Sequence, residues 1–65
     1  MESTRVIDWV GRSDMAVNVL EQTLSDGSCV YAVGLPDRDG DVRYFDATDK
    51  RAAYALAFAF AQHTV

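Results

Sequence analysis

Residues 48–63 read T-D-K-R-A-A-Y-A-L-A-F-A-F-A-Q-H, and how this stretch is read decides the fold. Bulky apolar residues alternate with alanine, which on its face suggests a strand. At 100° per residue with Tyr54 at the origin, however, Leu56 falls at about 200° and Phe60 at about 240°. Ala53, Ala57 and Ala61 fall at about 260°, 300° and 340°, and Phe58 at about 40°. The segment is then a helix with an apolar arc of about 200°, small alanines along its middle and larger side chains on both flanks. As a strand it would be apolar on both faces and rich in alanine, a poor strand former and the best helix former. The spacing therefore predicts a helix over 48–63, capped by Thr48 or Asp46. It lies closely against a neighbour along its alanines and leaves Ala52, Ala55 and Ala59 outside.

The preceding stretch predicts a β-hairpin. Ser28 to Leu35 and Asp41 to Ala47 alternate, and the P-D-R-D-G between them is a turn signal. Pro36 ends the first strand because it has no N–H to donate to a ladder. Asp39-Gly40 accepts the positive φ of a tight turn.

Towards the N-terminus the signals favour helices. Val6, Ile7, Trp9 and Val10 have helical spacing, although their residue types favour strand, and Gly11 suits a helix stop. Ser13 offers an N-cap and Asp14 suits the positive end of the next helix. Met15, Ala16, Val17, Val19, Leu20, Thr23 and Leu24 then cover one broad face, and Asp26-Gly27 ends it. The expected fold is α+β: an antiparallel β-hairpin packed against helices, in the order α-α-β-β-α. The alternative, β-α-β-β-α, has a three-stranded sheet and uses the N-terminal segment as a strand. An isolated hairpin is marginal in water, so helices, a further strand or a second copy must cover it.

Sixty-five residues with 49% apolar content imply one compact domain over 1–65, near the lower size limit for folding without staples. The single cysteine, Cys29, rules out an internal disulfide and reads as a small buried hydrophobe in an apolar run. No apolar run has membrane-spanning length and no signal-peptide core is evident, so a reducing cytosol is the expected compartment.

The net charge of −4 argues against direct nucleic-acid binding, which needs a basic footprint. Catalytic constellations are lacking: there is no nucleophile elbow, no phosphate loop and no Ser-His-Asp set. D-R-D-G-D at 37–41 resembles the start of a calcium loop. Counting from Asp37, however, position 6 is Val42 instead of glycine and position 12 is Thr48 instead of glutamate. His63 suits the negative end of the last helix. No enzyme activity, metal or cofactor is expected.

What remains is binding. Asp37, Asp39, Asp41, Asp46 and Asp49 form a charge row that suits a basic protein groove, with Glu21 and Asp26 as further members. Ordinary solubilising charge is the competing explanation, with Asp46 and Lys50 spaced for an ion pair. Arg38 and Arg43 interrupt the row.

In size, acidity and compact α+β pattern without a catalytic motif, the chain resembles the small phage-encoded anti-CRISPR proteins. Those directed at type I surveillance complexes, including type I-C, are most similar. The most distinctive stretch is S-C-V-Y-A-V-G-L-P-D-R-D-G-D-V-R-Y-F-D-A at 28–47. The resemblance implies an inhibitor that binds a basic, nucleic-acid-binding subunit of a CRISPR effector complex and blocks target-DNA access or nuclease recruitment. The acidic residues would act as the DNA-mimicking surface of a monomer or weak dimer. An adaptor or antitoxin-like module that binds through an apolar helix face is the alternative.

Overall fold

The structure, a computed structural model, describes residues 3–11 and 16–63. Four strands are followed by one helix: β1 (Ser3–Val10), β2 (Val17–Thr23), β3 (Cys29–Pro36), β4 (Val42–Ala47) and α1 (Lys50–His63). The strands form one antiparallel meander in the order β1-β2-β3-β4. This corrects the expected α-α-β-β-α order, and also the alternative β-α-β-β-α, which has β1 right but keeps a helix where β2 lies. The hairpin and the C-terminal helix are present as expected. The cap expected at Ser13-Asp14 lies outside the described residues.

The physical reason for the error lies in V-N-V-L-E-Q-T. Val17 and Val19 face α1 and are fully buried, while Leu20 faces the opposite side of the sheet. Apolar residues on both faces of a strand imitate the broad face of a helix. What decides is β-branching at Val17 and Val19 and the presence of pairing strands on both sides. Likewise Asp26-Gly27 does not end a helix. Leu24 N–H donates to Ser28 O at 2.8 Å and Gly27 N–H to Leu24 O at 3.0 Å, closing a three-residue hairpin loop. The β3–β4 loop repeats the construction: Asp37 N–H donates to Asp41 O at 2.8 Å and Gly40 N–H to Asp37 O at 3.3 Å. Gly27 and Gly40 sit at φ +88° and +87°, as this loop requires.

One face of the sheet carries the core. Val10, Val17, Val19 and Val33 are buried against Ala53 and Ala57 of α1. The alanines lie on the line of contact, as the helical reading expects, with Leu56 and Phe60 on one flank and Tyr54 on the other. Phe58 departs from that reading, being 55% exposed on the outer surface. The buried arc therefore stops at Tyr54. Phe60 closes the far edge of the core on Phe45, ring centroids 4.9 Å apart and tilted by 53°.

The helix starts at Lys50, later than expected, and its cap is Asp49 instead of Thr48 or Asp46. Asp49 Oδ1 accepts the Ala52 amide at 2.7 Å, and its carbonyl accepts Ala53 N–H at 3.0 Å. The last β3–β4 pair is Tyr31–Ala47, so the chain leaves the sheet for α1 before reaching the level of Cys29. Cys29, at the first position of β3, is consequently exposed and not buried as expected.

A β-bulge between Val6 and Asp8 shifts the phase of β1, so that Ile7 and Val10 both reach the core. Asp8 then ties the edge strand to the helix: it accepts the Trp9 amide at 2.8 Å and the Tyr54 hydroxyl at 3.0 Å.

Candidate functional site: the open sheet face

Side chains alternate across a strand, so the cross-strand register fixes what lies on the face opposite α1. One row across the sheet is Trp9, Asn18, Gly34 and Tyr44. The next is Val6, Leu20, Ala32 and Asp46. Among the described residues no element covers this face: α1 is the sole helix and its buried alanines lie in the core on the other side. Trp9 is 62% and Tyr44 64% exposed. An open groove of about 280 Å³ runs across the face, with Leu20, Ala32 and Val30 among its lining and Thr4, Gln22 and Asp46 supplying polar groups. Large aromatic side chains held on a rigid sheet, beside apolar floor and a few polar groups, are what protein interfaces use as anchors.

The structure divides the acidic residues between the two ends of the sheet. Asp37, Asp39 and Asp41 come together at the β3–β4 turn, where Asp37 Oδ1 accepts the amides of Asp39 at 2.9 Å and Asp41 at 3.1 Å. Asp46 lies at the other end of β4 on the open face, and Asp49 caps α1 beyond it. Five residues of extended chain put Asp41 and Asp46 about 17 Å apart. Asp26 lies in the β2–β3 turn, where its carboxylate accepts the Ser28 hydroxyl at 2.6 Å and the Ser28 amide at 2.9 Å. Those bonds hold its carboxyl below the usual range, the hydroxyl contributing most.

Glu21 points to the helix side. Arg5 donates to its Oε1 at 2.9 Å and the Tyr31 hydroxyl to its Oε2 at 3.1 Å. Arg5 first and Tyr31 second hold its carboxyl below the usual range, while the same bond raises the Tyr31 phenol. No bond joins Asp46 to Lys50; among the described residues the ion pair is Arg5–Glu21. Carboxylates bonded to amides and hydroxyls gain a fixed position; Asp37 at one end of the sheet and Asp26 and Asp49 at the other are held in this way.

Sequence reasoning passed over Trp9, Tyr44, Val6 and Leu20. The signal of Val6, Trp9 and Tyr44 is present as alternation in T-R-V-I-D-W-V and V-R-Y-F-D-A, but the bulge interrupts it in the first; Leu20 lies in V-N-V-L-E-Q-T, which is apolar on both faces. Among the described residues no cluster of His, Cys, Asp and Glu could hold a metal ion, and no helix is long and apolar enough to cross a membrane. Comparison with protein families, with curated proteins and with solved structures finds no match to this chain.

Proposed function

We propose that this domain is a non-catalytic inhibitor that binds a basic protein surface through its open sheet face, with carboxylates at the rim. The observation that carries this reading is the exposure of Trp9 and Tyr44 on an uncovered face that also bears Asp46. The aromatic rings supply contact area at low entropic cost, and the net charge of −4 speeds encounter with a cationic partner. The resemblance to small anti-CRISPR proteins makes a nucleic-acid-binding subunit of a type I effector complex the first partner to test. Occupying it would block target-DNA access or nuclease recruitment.

The test is capture by the tagged domain from cells carrying an active type I system, followed by target-DNA binding of the captured complex. Trp9→Ala with Tyr44→Ala should abolish capture, and Asp39→Asn with Asp41→Asn should weaken it and reduce its salt sensitivity. Capture unaffected by the aromatic pair would move the contact surface elsewhere. Loss of capture with the aspartate pair alone would return it to the acidic turn.

A second reading has its own observation. Phe58 is 55% exposed between the exposed Ala55 and Ala59, an apolar strip on the outer helix face that suits an adaptor or antitoxin-like contact. Phe58→Glu distinguishes the two, since it should spare binding through the sheet and abolish binding through the helix.

A further inference from the structure

We infer that the open sheet face is self-complementary, and that in the absence of its partner the domain pairs face to face with a second copy of itself. This inference rests on the reading of that face as a contact surface and says what occupies it in the free protein.

The arrangement follows from the rows. Consider a two-fold axis lying between two facing sheets, parallel to the strands and passing between β2 and β3. It sets every row against itself while exchanging β1 with β4 and β2 with β3. Trp9 then meets Tyr44 of the second copy, and Tyr44 meets its Trp9. Aromatic pairs of this kind are favourable beyond the area they bury. In the adjacent row Leu20 meets Ala32, so the large side chain on β2 enters the groove above the small one on β3, and the reverse contact is identical.

Gly34 makes this relief possible. A Cβ there would come within 3.2 Å of Tyr44 Cε1 and 3.1 Å of Val42 Cγ1, so its absence lets the Tyr44 ring lie low across the sheet. Asp46 meets Val6 on the outermost strands, where its carboxylate stays in water at the rim.

The area is sufficient for a weak complex. Four strands at about 4.8 Å give a face about 19 Å wide, and about seven residues of strand give a length near 23 Å. Two such faces remove about 900 Å² from water, below a standard specific interface and within the range of weak, transient pairs. Aligned sheets pack in this manner about 10 Å apart.

Charge separates this pairing from binding to a basic partner. Two copies at −4 repel each other, so added salt should strengthen self-association, whereas it should weaken attachment to a cationic surface.

Sedimentation of the free protein from micromolar to near-millimolar concentration, at low and high salt, is the primary test. The expected result is a reversible monomer–dimer equilibrium that tightens with salt. Trp9 is the only tryptophan, so its emission should shift to longer wavelength as the dimer is diluted. Leu20→Asp should weaken dimerisation at least tenfold, and Ala55→Glu on the outer helix face should leave it unchanged.

The axis is tested separately in a Cys29→Ser background with a short bis-maleimide. A mixture of Trp9→Cys and Tyr44→Cys chains should cross-link, and either chain alone should not. Cross-linking of the Trp9→Cys chain to itself would overturn the proposed axis. A monomer at every concentration and salt would overturn self-pairing; capture of a basic partner by that same monomer would leave the functional reading standing.

Discussion

Val33→Ala tests where the core of this domain lies. Val17, Val19 and Val33 are the largest fully buried side chains among the described residues, so each carries a large part of the apolar burial. Val33 sits on the interior strand β3 opposite Val19 and Phe45, facing the alanines of α1. Truncation removes the equivalent of two methylenes, about 0.8 kcal/mol each, and leaves a cavity on a rigid sheet, for a total of about 2–3 kcal/mol. A domain of this length has roughly 3–10 kcal/mol of stability in all. At about 4–8 °C per kcal/mol the midpoint should fall by about 10–20 °C.

The control is Val30→Ala, three residues earlier on the same strand but on the open face and 40% exposed, which should cost less than about 1 kcal/mol. Thermal circular dichroism at the lowest usable concentration, where self-association is negligible, compares the two. Equal losses, or a larger loss for Val30→Ala, would refute the placement of the core between the sheet and α1.

Asp49→Ala should cost about 1 kcal/mol by removing the cap of α1, and Asp49→Asn should restore most of it; equal loss in both variants would contradict the cap assignment. Gly40→Ala should cost about 1–2 kcal/mol because φ +87° places its Cβ against the following carbonyl, readable as a shift in the urea midpoint. Glu21 and Asp26 have folded carboxyls below their unfolded values. Their contribution is therefore complete above the unfolded pKa and is lost as pH falls through the lower folded one. Stability should decline below about pH 4.5, and Glu21→Gln should flatten that decline in acid-unfolding curves. Tyr31 and Tyr54 have raised phenols held by Glu21 and Asp8. Their contribution is present below the unfolded pKa and is lost as pH rises through the higher folded one, so Tyr54→Phe should reduce the loss of stability above about pH 10.

The sequence by itself determined the elements whose rules are local. Alanine spacing determined α1 and the line of alanines that touches the sheet, although not the outward position of Phe58, because helix geometry depends only on neighbours three and four apart. Asp39-Gly40 determined the β3–β4 hairpin, because the positive φ it needs is a property of glycine. Only the tertiary structure decided the first half of the chain. Residues 3–10 and 17–23 become strands through partners far along the sequence, and a strand that is apolar on both faces has the spacing of a helix until those partners are known. The same uncertainty made Asp26-Gly27 a helix stop, although its loop repeats the one around Gly40. The candidate site was illegible for the same reason. Trp9 and Tyr44 are 35 residues apart and share a row only because two intervening strands lie between them. The acidic residues were legible as charges. Their division between the two ends of the sheet was not, because distance along a strand is set only once the strand exists.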